Sequence, residues 1–444
     1  MHPGDINNMG LQRATGEFSR QMVNSASQQG NSHDTGMPVG MNILWVKVGG
    51  LWPVNTGGRI RSFHIISELS RRNRVTVLTT HMPGENSDEL RRQLPLCERV
   101  DSYSYAPPKV RSKHFLWALF RSWFSALPVD LWKARVPALR NEVSLLLEKE
   151  KFDICVADFL FAVPNIPFGG EVPLVFFAHN VEYMIWKRLC ENDTSLLRSL
   201  LLSIEWRKVR RYENKACRIA DLIVAVSPED RDLLTANIPE SNACAISTGV
   251  DIDYFRPMGT AEVQAELVFT GSMDWHPNED AILYFIKEIL PLIRKDHPMV
   301  SLTVVGRNPS LQLIKEAFKY GVRVSGTVSD IRPYVANAAV YIVPLRIGGG
   351  TRLKIFEALA MGKAVVSTRV GAEGLPLENG KHFMCADEPE HFAQAVVSLL
   401  QDPGRRREMG AAGRELVAGH YSWEQVSREF EEDCRNLITQ SNAA

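Results

Sequence analysis

Cysteine is sparse and unpatterned in this chain: seven are scattered over 444 residues (Cys97, Cys155, Cys190, Cys217, Cys244, Cys385, Cys434), with no Cys-x-x-Cys pair. An odd, dispersed set argues against a zinc ribbon or a disulfide scaffold and points to a reducing compartment. Charge of one sign is also lacking, since 51 basic residues face 51 acidic ones. No global field therefore draws the chain to nucleic acid. No run of eighteen apolar residues occurs, so nothing reads as a membrane span, and the polar start lacks the apolar core of a signal peptide. The glycine spacing G-x-G-x-x-G is absent from the first glycine loop, which disfavours a nicotinamide dinucleotide.

What is present suits two ordinary domains, with 45% apolar content over this length. Residues 1–40, rich in Ser, Asn, Gln and Gly, have no apolar period and read as a disordered tail, with Met37 or Met41 as an alternative start. Short apolar runs then alternate with helical patterns. Ile43 to Val48, Val75 to Thr79, Phe152 to Val156, Leu174 to Phe177 and Leu222 to Val226 are expected strands of a first domain, 41–245. Leu267 to Thr270, Leu302 to Val305, Val322 to Ser325, Val340 to Val343 and Ala364 to Ser367 are those of a second, 246–420, and 421–444 is expected to be a helix crossing back to the first. The expected fold class is α/β, with two Rossmann-like doubly wound domains facing a central cleft.

Two glycine loops stand where such sheets bind ligands. Gly57 and Gly58 follow the first strand and open a helix, with Arg59 or Arg61 available to an anionic group. After Val343, the run Gly348, Gly349 and Gly350 leads through Thr351, Arg352 and Lys354 to Glu357. Glycines let backbone N–H groups approach a ligand closely, and cations at a helix start oppose the macrodipole unless an anion is near. Arg346 precedes the loop and is a third candidate cation. His179 ends an apolar strand and faces the expected ligand crevice, with Asp158 a weaker candidate on the same argument. Gly271 and Ser272 offer donors after another strand, and Asn278 is placed to cap the following helix.

The segment from Gly348 through Glu357 to Met361, Gly362 and the strand Ala364 to Val366 resembles the nucleotide-sugar site of the retaining family 4 glycosyltransferases, which have the GT-B fold. The connector Gly249, Val250, Asp251 to Phe255 and Pro257 resembles that family's interdomain signature, and the resemblance runs from residue 41 to about 438. In the family two glutamates stand eight positions apart. Glu357 matches the second, whose role is to accept hydrogen bonds from the nucleotide ribose. Gly349 stands where the first is found, a departure that leaves the sugar contact open. The resemblance implies that His179 meets the transferred sugar, that Gly57 and Gly58 approach the donor phosphate and acceptor, and that Gly306 with Arg307 and Thr327 with Val328 lie near ribose and base. The family's usual Gly-Arg and following Lys are replaced around Gly271 and Ser272. Arg352, Lys354 and Arg346 are then expected to stabilise the departing diphosphate.

The implied reaction moves a sugar from a nucleoside-diphosphate donor of the UDP or GDP type to a sugar, lipid-linked or other hydroxyl acceptor, with no metal or further cofactor required. The expected context is cell-surface polysaccharide or glycolipid synthesis, and the alternative is a non-catalytic nucleotide-sugar-binding protein derived from such an enzyme. Residues 108–127, Trp186 to Arg188 and Trp206 to Arg211 interleave basic and aromatic side chains. They suit either peripheral contact with a membrane or packed helix faces with snorkelling arginines. A cytoplasmic location, at the inner face of the cytoplasmic membrane in the first case, is the expectation.

Overall fold

Strands form where the apolar runs lie, because a strand buried on both faces must be apolar at consecutive positions. In the computed structural model the described residues are 40–54, 56–106, 125, 127–167, 169–191, 196–347 and 353–443. They divide into one unit of Met37–Thr248 with Trp423–Ala444, and another of Gly249–Ser422. The tail expected over 1–40 lies outside the described residues except for Gly40.

In the first unit seven strands pair in the order β3-β2-β1-β4-β5-β6-β7. They are β1 (Asn42–Lys47), β2 (Arg74–His81), β3 (Arg99–Ser104), β4 (Ile154–Asp158), β5 (Leu174–Phe177), β6 (Leu222–Ala225) and β7 (Ala243–Ala245). Every pairing is parallel. Along β1 successive side chains alternate between two cores: Ile43 and Trp45 enter one, Leu44 and Val46 the other. The helix Trp423–Ala443 belongs to this unit. It buries Trp423, Val426, Phe430, Cys434 and Leu437, a helical spacing, and its Phe430 ring lies 5.7 Å from Trp45 and 5.5 Å from Phe177.

The second unit repeats the plan with six strands in the order β10-β9-β8-β11-β12-β13. These are β8 (Glu266–Thr270), β9 (Ser301–Val305), β10 (Arg323–Val324), β11 (Val340–Val343), β12 (Ala364–Ser367) and β13 (Met384–Cys385), again all parallel. Val340 and Ile342 face one core while Tyr341 and Val343 face the other. Both sheets are therefore doubly wound, and in each the strand order reverses at one point, between β1 and β4 and between β8 and β11.

Three strands lay beyond the sequence reading. β3 has the sequence Arg-Val-Asp-Ser-Tyr-Ser with Val100 its one fully buried residue, as expected of an edge strand, and β7 and β13 have only three and two residues. The strand expected at Phe152 to Val156 instead runs from Ile154 to Asp158. That shift makes Asp158 the last strand residue rather than a loop residue.

Burial holds the imidazole of His64, stacked on Trp423 at 4.8 Å, down at about 4. Its folded value lies below the unfolded value near 6.5, so the stability it contributes is present above about 6.5 and lost as pH falls toward about 4. His64→Phe keeps a stacking ring and removes the titration. Urea unfolding at about pH 7 and about pH 4 should show the wild type losing on the order of 3 kcal/mol more than the variant. Parallel losses would show that the ring is not buried as the neutral form.

Candidate active site

In the first unit the polar groups gather where the strand order reverses. Lys47 ends β1 and Asp158 ends β4, directly opposite each other in register. Both are almost completely buried, and Lys47 Nζ donates to Asp158 Oδ1 at 2.8 Å and to Ser62 Oγ at 2.9 Å. Trp45 Nε1 donates to the other carboxylate oxygen at 2.8 Å, and His179 Nε2 lies 2.8 Å from Oδ1. Burial alone would raise the Asp158 pKa, but Lys47 and His179 outweigh it and hold the carboxyl well below its usual range. Burial pushes Lys47 down against the pull of Asp158, and holds His179 at about 3 against the same pull. Asp158 is thus a carboxylate paired with Lys47, beside a neutral imidazole.

Phe159 lies flat on the His179 ring at 4.2 Å and adopts φ 75°, a strained left-handed conformation for an aromatic residue. Gly58, in the first turn of the helix Gly57–Leu69, packs against this stack. A Cβ there would come within 2.8 Å of the Phe159 ring and 3.8 Å of His179 Nδ1. Thr56, at the N-cap, gives that helix no side-chain hydrogen bond. Among the described residues Nδ1 of His179 is buried with no hydrogen-bond partner, an arrangement that costs about 1–3 kcal/mol when left unmet.

The two arginines of this loop are occupied by the protein itself. Arg59 donates to the Gly49 and Trp52 carbonyls and closes the loop. Arg61, expected to be available to an anion, is instead fully buried: it donates to the carbonyls of Ala178 at 2.8 Å and Ile246 at 2.7 Å, over the Phe177 ring. Three strand ends converge on it, and their outward-pointing carbonyls need a donor.

In the second unit the loops after β8 and β9 are stitched together. Gly271 N donates to Val305 O and Met273 N to Arg307 O, both at 2.9 Å. A Cβ on Gly306 would lie 1.7 Å from the Gly271 carbonyl oxygen, so no side chain fits. Arg307 Nε donates to Ser272 Oγ at 2.6 Å and stands 3.7 Å from Asp274, so this half-exposed cation joins the two loops. Asn278 does not cap its helix, which begins two residues earlier at His276. Its amide instead donates to Ser272 O at 2.8 Å and its oxygen accepts from Lys354 Nζ at 2.7 Å. Lys354 Nζ also lies 4.2 Å above the Phe269 ring. Gly271, Ser272, Gly306 and Lys354 are therefore brought together with Arg307 and Asn278.

One turn beyond Lys354, Glu357 is half-buried, and burial raises its carboxyl to about 7 despite Lys354. Behind it Thr270 Oγ1 and Tyr341 OH share a buried hydrogen bond of 2.5 Å. Val328 packs partly buried against the core that includes Phe356. Arg346 is not part of the Lys354 cluster's hydrogen bonds: Asp280 holds its guanidinium through two contacts at 2.6 and 3.1 Å, over the Tyr284 ring. Gly349, Gly350, Thr351 and Arg352 lie outside the described residues.

Gly306→Ala tests the close loop packing. Forcing the Gly271 loop away should cost at least about 1–3 kcal/mol in thermal unfolding, whereas Gly170→Ala, with nothing within 4 Å of the new Cβ, should leave stability unchanged. Equal melting temperatures for the two variants would contradict the packing.

A family model described as Glycosyltransferase Family 4 matches residues 56–254, and one described as Glycosyl transferases group 1 matches residues 264–402. The chain is similar to an uncharacterized 44.6 kDa protein in the cps region of Klebsiella pneumoniae, 20% identical over 388 residues, covering 84% of this chain and 95% of that protein. It is also similar to a GDP-mannose-dependent alpha-(1-6)-phosphatidylinositol monomannoside mannosyltransferase of Mycobacterium tuberculosis, 27% identical over 60% of this chain and 74% of that one. Solved structures share the fold, and two of them cover nearly all of it. These two are Anabaena Alr3699/HepE in complex with UDP and glucose (TM-score 0.59, 14% identity, 88% of this chain and 98% of that one) and sucrose-phosphate synthase from Thermosynechococcus elongatus (TM-score 0.63, 15% identity, 90% and 100%). Matched in both units by these family models, the chain belongs to the group 1, family 4 glycosyltransferases and is a glycosyltransferase.

Proposed function

We propose that the enzyme transfers a hexosyl group from a nucleoside-diphosphate sugar to a hydroxyl acceptor with retention of anomeric configuration. The observation that carries this reading is the cluster at the carboxyl ends of β8 and β9. Lys354 and Arg307 supply positive charge beside the backbone of Gly271 and Ser272, one turn from Glu357. Such a group suits a diphosphate whose negative charge grows as it leaves. In the transfer, the bond from the anomeric carbon to the diphosphate oxygen breaks and the acceptor oxygen bonds to that carbon on the same face. The acceptor proton passes to the departing phosphate. Glu357 accepts from the ribose hydroxyls when ionised, and His179 meets the transferred sugar. The UDP of one structural neighbour and the GDP-mannose of one relative support a donor of either base.

The acceptor reading rests on a different surface. The helices Glu182–Glu191 and Leu196–Ile219 pack together and expose Ile185, Leu189, Leu200 and Ile204 beside the exposed Arg188, Arg198, Arg207, Arg210 and Arg211. Exposed aliphatic side chains and arginines on the same two helices fit an anionic lipid interface, and hence a lipid-linked acceptor in polysaccharide or glycolipid synthesis. The segment 108–127 lies almost wholly outside the described residues and adds nothing to this.

Two experiments test these readings. Calorimetric titration with UDP and GDP should show binding of one of them that weakens at least tenfold in Glu357→Gln and in Lys354→Ala. Because the Glu357 carboxyl sits at about 7, the gap between wild type and Glu357→Gln should narrow as pH falls below about 7. Binding of neither nucleotide would overturn the donor site. Sedimentation with vesicles of anionic phospholipid should carry down wild type but not an Ile185→Ser, Leu189→Ser, Leu200→Ser variant, and equal sedimentation of both would remove this surface from the account.

A further inference from the structure

The donor cluster does not use the buried group at the end of β1 and β4, and that group has an unusual property. Its members are linked so that each fixes the next. Ser62 and Asp158 hold Lys47 Nζ at 2.9 and 2.8 Å, Trp45 Nε1 holds Asp158 Oδ2 at 2.8 Å, and Asp158 Oδ1 meets His179 Nε2 at 2.8 Å. A carboxylate accepts hydrogen bonds and donates none, so the ring nitrogen facing it carries the proton. The other nitrogen, Nδ1, is then a lone-pair acceptor. It is buried, has no partner among the described residues, and lies 3.8 Å from where a Cβ on Gly58 would stand.

We propose that Lys47 and Asp158 are positioning residues that lock His179 as a neutral imidazole protonated on Nε2, so that Nδ1 accepts a hydrogen bond from a hydroxyl of the transferred sugar. The inference rests on the sugar-transfer reading above and adds a selectivity: a hydroxyl satisfies Nδ1, whereas a carboxylate at the same place meets a lone pair. A donor carrying a uronate in that position is rejected.

Lys47 is the decisive member. The charged groups facing His179 are Asp158 on β4, Lys47 on β1 and Arg61 on the helix Gly57–Leu69; its other neighbours, Ser62, Phe159 and Phe177, do not titrate in this range. With Lys47 in place, Asp158 is neutralised by the ammonium and the ring stays uncharged. Without it, the buried carboxylate draws a proton onto the ring, and Nδ1 becomes a donor in place of an acceptor.

Long-range nitrogen–proton NMR of the histidine rings in the full chain tests this, with the His179 signals identified by their loss in His179→Asn. Wild type should show Nε2 protonated and Nδ1 bare across about pH 5 to 8. Lys47→Met should bring the ring's protonation into that window, and Lys47→Arg should restore the wild-type pattern. Transfer rates should follow: Lys47→Met loses at least tenfold in turnover near pH 6 and regains most of it near pH 8, while wild type and Lys47→Arg show no such ionisation. A wild-type ring protonated on Nδ1, or a ring in Lys47→Met indistinguishable from wild type, would overturn the lock, and the first of these does not depend on the Lys47 variants folding. Failure of the parent reading has a different signature, namely no transfer from any nucleotide sugar while the wild-type ring signals are as described, and that result overturns the sugar contact.

Discussion

A parallel sheet covered by helices on both faces leaves polar chemistry one place to go, the edge where the strands run out. Both units of this protein obey that constraint. Away from the edge strand β3, strand interiors are almost entirely apolar, so their faces leave little room for a charged group. At the carboxyl ends the backbone turns toward helix N-termini, and the space between diverging connections admits a ligand. Lys47, Asp158 and His179 stand at that edge in one unit, and Gly271, Asn278, Arg307 and Lys354 in the other.

The two edges use opposite electrostatics. In the second unit the cations are half-exposed at the strand ends, where Ser272 and Asn278 hydrogen-bond them and Asp274 stands 3.7 Å from Arg307. In the first unit the charges are buried and matched against each other. A buried pair is not by itself strong evidence of stabilisation, because desolvation of both ions offsets most of the attraction. Its retention beside an unpartnered His179 nitrogen, a strained Phe159 and a glycine with no space for a side chain makes sense as orientation of the imidazole. Arg61 performs a related structural duty by gathering the carbonyl ends of separate strands.

Most of the fold was legible because double burial writes itself as short β-branched runs, and the family resemblance extended that reading across both units. The edge strand β3 was not, since only Val100 is buried there and its polar neighbours look like loop. The glycines around 57 and 271 could be read as close approaches, but the partners could not. Lys47 looks like the solvated end of a strand, and only its register opposite Asp158 makes it internal. Arg61 resembled an open cation because its carbonyl partners lie 117 and 185 residues away, a separation that no local pattern encodes. Arg307 could be placed beside Gly306 after its strand, but its contact with Ser272 spans 35 residues and could not be read.

The claim that both carboxyl edges are working faces is open to one direct measurement, hydrogen–deuterium exchange with and without UDP-glucose and, separately, GDP-mannose. The account predicts that the donor the enzyme accepts slows exchange at the strand ends of both units, in 57–62 and 178–180 of the first and in 271–278, 306–308 and 353–357 of the second. Protection confined to the opposite ends of the strands, around 150–153 and 298–301, or confined to one unit, would contradict it.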